Sequence, residues 1–288
     1  MAARFSPAAL LLAALTPAAP ASEPATPARL PVGDGRISDG PRKGYVFACP
    51  RGWFAPRFGA PGARATGAWF HGDTWNPLEK PHVQGHVLWP QARFGTAREQ
   101  ELLRLRGNGL PVGAPTGRFP ITPDDPVWRY DTNPNAIRAQ QIDLAIPLDP
   151  QPAPRPGCLP MGMIGVSLSG VPFYNALDEA GRDAAAHEIQ DKCDGHPQQQ
   201  GQYHYHSGSA CLVGRESNSV VGWALDGYPI LGMRDGSGRV LWSADLDACH
   251  GRAETVVAAG RRYRYAYRLT PDYPYVLGCF AGQLPRGR

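Results

Sequence analysis

The sequence predicts a mainly β protein: a single compact β-rich domain with an internal pseudo-twofold repeat and few short helices. Composition is the first reason. The 288 residues hold 34 glycines and 31 prolines but only 19% charged residues, a balance suited to a rigid, loop-rich sheet protein rather than a helical bundle. Spacing is the second, because short apolar alternations fall between turn signals at intervals typical of all-β folds. The third is a phrase spelled twice. Gly165-Val166-Ser167-Leu168-Ser169-Gly170-Val171-Pro172 returns as Gly222-Trp223-Ala224-Leu225-Asp226-Gly227-Tyr228-Pro229. Asp191-Lys192-Cys193-Asp194-Gly195 returns as Asp247-Ala248-Cys249-His250-Gly251, and Tyr203-His204-Tyr205-His206 as Tyr265-Ala266-Tyr267-Arg268. An internal duplication, with repeats at about 164–212 and 221–280, is the simplest account. The Tyr-x-Tyr frame survives in both copies while its histidines do not.

Taken in chain order, Arg4, the apolar run Ala8 to Leu15 and the small-x-small site Ala19-Pro20-Ala21 make residues 1–21 a secretory signal. That run is too short to span a bilayer, which takes about 20 residues, and no later segment is apolar enough to insert. Residues 22–43, mostly Pro, Ala and Gly, read as a disordered or extended leader, and the domain is expected at 44–284. Gly44 to Phe47, Ala68 to His71, Val83 to Trp89 and Ile142 to Ile146 are predicted strands. Ala97 to Leu105, rich in helix formers, predicts one short helix, and Asp183 is placed to cap another over Ala184 to Gln190. Pro120, Pro123, Pro126 and Pro134 make the intervening stretch an ordered loop. Met233 to Leu241 reads as a hairpin around a Gly-rich turn, and Tyr263 to Leu269 as a strand.

Six cysteines in an exported chain form an even set, so three disulfides are expected. If equivalent cysteines bond equivalently, Cys193 joins Cys211 and Cys249 joins Cys279, which leaves Cys49 for Cys158. A bond between the two copies is the competing pattern. No two cysteines stand close enough to form a zinc knuckle. The formal charge of +4 is spread along the chain, which argues against a nucleic-acid partner. After signal cleavage no membrane insertion is expected, and the location is secreted or periplasmic. No small-molecule or glycan ligand is identified by any motif.

The candidate chemistry lies in the histidines. In a strand, residues two apart share a face, so Tyr203-His204-Tyr205-His206 puts both imidazoles on one side and both phenols on the other. Two such rings can converge on one ion at nitrogen–metal distances of about 2.0–2.1 Å. His196 and His250, in the two Asp-x-Cys-x-Gly loops, complete a four-ligand set if those loops meet at a pseudo-twofold axis. Imidazole suits copper(II) and zinc(II) alike. The competing reading is a hydrogen-bonded or surface pair without metal, and Arg268 in the second copy speaks for it by adding positive charge. His71, His82 and His86 read as ordinary surface. His187-Glu188 lacks the second His of a zinc-protease helix, and Gly165-Val166-Ser167-Leu168-Ser169 misses the last Gly of a nucleophile elbow. Gly170-Val171-Pro172 and Gly227-Tyr228-Pro229 read as matched turns. Tyr273-Pro274-Tyr275 and Trp53-Phe54 read as buried aromatics or a groove lining.

These residues resemble the YHYH-domain proteins, a bacterial exported family named for the run at 203–206. The likeness extends to Asn108-Gly109-Leu110-Pro111, Thr116-Gly117-Arg118-Phe119-Pro120, Asn133-Pro134-Asn135 and Gly170-Val171-Pro172-Phe173-Tyr174-Asn175. It also takes in Cys193 to His206, Ala224-Leu225-Asp226-Gly227, Cys249-His250-Gly251-Arg252 and Tyr273-Pro274-Tyr275. The resemblance implies histidines in the second Tyr-x-Tyr frame and after the Asn-Gly-x-Pro phrase, where this chain has Ala266, Arg268 and Val112-Gly113-Ala114. The expected function is binding of a transition-metal ion by an exported domain. A metal-free binding or structural module and a metal-dependent extracellular hydrolase or oxidase are the alternatives.

Overall fold

A computed structural model describes residues 29–49 and 66–285. The expected signal and the Trp53-Phe54 pair lie outside these residues. The first strands are two residues long: β1 (Leu30–Pro31), β2 (Ile37–Ser38), β3 (Val46–Phe47), β4 (Phe70–His71) and β5 (Thr74–Trp75). β5 pairs with both β1 and β4, and buried Leu30 lies opposite Trp75. The end of the expected leader is therefore an ordered part of the domain, docked through an apolar contact its composition conceals.

The predicted helix at Ala97 to Leu105 is absent. In its place stands a hairpin, β6 (Phe94–Glu99) and β7 (Leu102–Gly107), extended to a three-stranded sheet by β8 (Ile142–Pro147). Period decides here over propensity: Leu103 and Leu105 are buried while Leu102 and Arg106 face outward. The long polar side chains that favour helix instead pair across strands. Arg104 lies 3.1 Å from Glu99 and 3.3 Å from Asp143. Val83 and Val87, in the predicted strand at Val83 to Trp89, make only isolated bridges, and Arg234 bridges Val240 across the predicted hairpin.

The remaining strands and the α-helix are β9 (Pro152–Gly157), β10 (Met163–Ser167), β11 (Pro172–Tyr174), α1 (Ala184–His187), β12 (Gly195–Pro197), β13 (Tyr203–Tyr205), β14 (Val220–Ala224), β15 (Pro229–Leu231), β16 (Gly251–Ala258), β17 (Arg261–Arg268) and β18 (Phe280–Gly282). Eight of them form the main sheet, in the order β12-β13-β11-β10-β14-β15-β17-β16. From either edge the pairing senses run antiparallel, parallel, antiparallel, to the central antiparallel β10–β14 pair. The chain is mainly β, as composition and spacing predict. Gly170 and Gly227, at φ of 83° and 93°, turn β10 into β11 and β14 into β15. The cystines are Cys49–Cys158, Cys193–Cys211 and Cys249–Cys279. Among the described residues no helix is long and apolar enough to cross a membrane.

Helix α1 begins at Asp183, whose side chain accepts from the Ala186 amide, but it ends at His187 rather than Gln190. Side chains take its carbonyls. Gln190 Nε2 donates to Ala184 O, Lys80 Nζ to Ala185 O and Trp69 Nε1 to Ala186 O. The chain leaves the helix extended at Glu188.

Both Asp-x-Cys-x-Gly boxes are small hydrogen-bonded turns closed by a tyrosine. Asp191 Oδ1 accepts from the amides of Cys193 and Gly195, and the Tyr203 hydroxyl donates to the same carboxylate at 2.8–2.9 Å. Asp247 Oδ1 accepts likewise from Cys249, Gly251 and the Tyr265 hydroxyl. The tyrosine ring lies over the glycine, so a Cβ on Gly195 would stand 2.3 Å from Tyr203 Cζ, and one on Gly251 2.4 Å from Tyr265 Cζ. Tyr203→Phe withdraws a donor from a buried carboxylate, a loss of about 1–3 kcal/mol. It is expected as a lower urea midpoint at unchanged slope.

Candidate metal centre

The Asp191 turn delivers β12 antiparallel to β13 with His196 directly opposite His204. His206 follows β13 two residues on. Ligand atoms of His196, His204 and His206 lie within 4.8 Å of one another, all three rings are buried, and the group can hold a metal ion. His204 Nε2 and His206 Nε2 are 3.0 Å apart.

Backbone carbonyls fix two of the rings. His204 Nδ1 donates to Gln202 O at 3.1 Å and His206 Nδ1 to Asn175 O at 2.6 Å. A carbonyl only accepts, so each ring carries a proton on Nδ1 and presents Nε2 to the cluster. Tyr174 stacks on the His204 ring at 3.9 Å and 23°, which holds the imidazole plane.

A carboxylate adjoins the cluster. Glu188 Oε2 lies 3.2 Å from His196 Nε2 and 3.1 Å from His206 Nε2. Ligands on a tetrahedral ion with bonds of 2.0–2.1 Å stand about 3.3 Å apart, close to these separations. Both Glu188 Oε2 and His196 Nε2 are cut off from solvent with no directed hydrogen-bond partner among the described residues. The charge states follow from burial set against the neighbours. Burial pushes His204 well below the usual histidine range, and the other two rings add to this. At His206 burial acts downward but Glu188 outweighs it, so the ring is raised. Burial would raise Glu188, yet His196 and His206 hold it well below the usual carboxylate range.

The cluster opens on a cleft of about 500 Å³, lined among others by Asp131, Met161, Tyr174, Asp178, Gln198 and Gln200. A metal held here would therefore have a face toward an exterior space, the arrangement of sites that keep a coordination position for water or substrate.

His250 is not part of this group. It occupies the Asp194 slot of its own box, with positive φ at both (57° at Asp194, 71° at His250). Its ring is buried, Nε2 pairs with the Thr270 hydroxyl at 2.9 Å, and burial pushes it down to about 3. The register position matching His196 belongs to Arg252, opposite Ala266, so the loops do not bring four histidines together. Arg268 is fully buried rather than solvent-facing, with Nε bonded to Glu254 Oε1 at 2.7 Å and Nη1 to Arg234 O at 2.7 Å. Its charge thus has its own carboxylate. His71 pairs with Glu79 at 2.7 Å and His187 with Asp34 at 2.9 Å. Tyr273 and Tyr275 are core residues, and the Tyr275 hydroxyl donates to Asp183. Glu188 is absent from the sequence-predicted ligands, since it precedes the Tyr-x-Tyr frame on a different segment and fits no metal motif.

A β-sheet protein with a buried, cleft-facing histidine triad is thus defined. Residues 143–240 match the model of the family described as YHYH protein. The matched region holds all three clustered histidines and Glu188 and stops short of the second Tyr-x-Tyr frame. No curated protein and no solved structure matches the chain. In metal-free protein, Glu188→Gln removes the charge that holds His206 up, and burial then dominates. Histidine NMR titration is expected to show the His206 value falling below its ordinary 6.5.

Proposed function

We propose that this domain binds one divalent transition-metal ion, copper(II) or zinc(II), through His196, His204 and His206, with Glu188 as a fourth ligand or as the base beside a bound water. The reading is carried by the two Nδ1 protons committed to Gln202 O and Asn175 O. They leave Nε2 of His204 and Nε2 of His206 facing each other at 3.0 Å inside the protein. Two unprotonated nitrogens so placed repel in a low-dielectric interior, and a shared cation removes the conflict. Three imidazoles suit either ion, with affinity order favouring copper and availability deciding occupancy. The cleft supports an open position at which a hydrolytic or oxidative reaction could run. Three cystines fit an oxidising compartment, and we place the protein in the periplasm or outside the cell. The duplicated phrase and the matching strand order support an internal duplication as the origin of the main sheet.

One observation favours a metal-free module instead. A second proton on His206 would also separate the two nitrogens, and Glu188 at 3.1 Å is placed to pair with it.

Elemental analysis of protein purified without a His-tag separates the two readings. About one copper or zinc per chain is expected, absent from the His204→Ala, His206→Ala double variant; wild-type protein that takes up neither ion after dialysis against each leaves the metal-free module. Because His206 is raised, metal must displace its proton. Affinity measured by chelator competition is therefore expected to fall as pH drops through the His206 value, by about tenfold per unit.

A further inference from the structure

Lys80 is buried at 5% exposure, and no carboxylate lies within ion-pair distance of it among the described residues. Its ammonium donates instead to two groups of one short segment, Ala185 O at 2.5 Å and Gln190 Oε1. The third neighbour is the Trp75 ring, 5.7 Å away. Ala185 and Gln190 bracket Glu188. The strand-like stretch after Lys80 is tied to the same place, with the Val83 amide donating to Gln190 O at 3.0 Å and Val83 bridging Asp191.

A neutral donor would satisfy Ala185 O without the desolvation of a charge, as Trp69 Nε1 does for Ala186 O. What an ammonium adds is a fixed positive field behind the segment that delivers the carboxylate. Burial pushes the Lys80 amine down to about 8, while Asp194, Glu188, Asp183 and Asp131 act to keep it charged. Those four acids include the one beside the histidines and the one in the turn before His196.

We propose that Lys80 is a positioning residue for the metal centre: it clamps the chain at Ala185 and Gln190 so that Glu188 is presented to His196 and His206. This rests on the metal-binding reading above. Groups that orient metal ligands from behind typically contribute about 10–100-fold to metal affinity.

The test compares wild type with Lys80→Met, which keeps length and removes charge and donors. Zinc affinity is read by chelator competition, the visible spectrum is recorded on cobalt(II)-loaded protein, and circular dichroism monitors the fold. The expected result is zinc binding weakened about 10–100-fold and a shifted cobalt band in a folded variant. Wild-type affinity with an unshifted band in Lys80→Met overturns the proposal and reduces Lys80 to a structural plug. Should that variant not fold, Gln190→Leu removes the ammonium's other partner; weakened zinc binding then supports the proposal and unchanged binding overturns it. Wild type that binds neither zinc nor cobalt overturns the metal reading itself and this inference with it, an outcome distinct from loss of the Lys80 effect alone.

Discussion

Buried carboxylates held by tyrosine hydroxyls and backbone amides are the constraint on which this fold and its site depend. Asp191 binds Tyr203, Asp226 binds Tyr267 and Asp183 binds Tyr275, with hydroxyl–oxygen distances from 2.5 to 2.9 Å. Burial pushes each of these carboxyls up to about 6. A charge so placed is tolerated only where several donors converge on it, which fixes the chain segments that supply them. Asp191 is the one nearest the histidine cluster in the chain. It orders the turn through Gly195 and seats Tyr203, so it sets the register that puts His196 opposite His204.

The two ends of the main sheet resolve one problem differently. At the first, imidazoles of His196, His204 and His206 crowd together beside Glu188, with Nδ1 of His206 bonded to Asn175 O. At the other, Arg268 follows Tyr267 as His206 follows Tyr205, donates to Gly232 O and Arg234 O, and is bonded to Glu254. A guanidinium cannot lose its proton in a protein, so its cation is built in. The histidine end has no such permanent charge, and its three imidazoles form a group that could hold a metal ion. Tyrosines stand at both ends, where Tyr203 and Tyr265 close the two turns, while the imidazole cluster stands at one.

The carboxylate at the site is held by geometry as much as by charge. Helix α1 is one turn long, and side chains from Lys80, Trp69 and Gln190 occupy its carbonyls, so Glu188 leaves on an extended chain toward the histidines. Tyr174 stacked on His204 fixes the other side of the cleft. Rings and carboxylate are thus held in place by the folded chain, and groups so held cost less entropy to gather.

Much of this was written in the linear order of residues. The β class follows from glycine, proline and short alternations, since these depend only on local periodicity and turn chemistry. The Tyr-x-Tyr frame places its two histidines on one face because a strand alternates. The different place of His250 is also legible, as it sits one residue before the box glycine, where Asp194 stands, while His196 sits one residue after. Ala97 to Leu105 misled because helix propensity is a weak local term that a buried period-two face overrides. Only the tertiary structure could supply Glu188, Lys80 and the carbonyls of Gln202 and Asn175. Their roles arise from distances between segments far apart in the chain, quantities that exist only once it has folded.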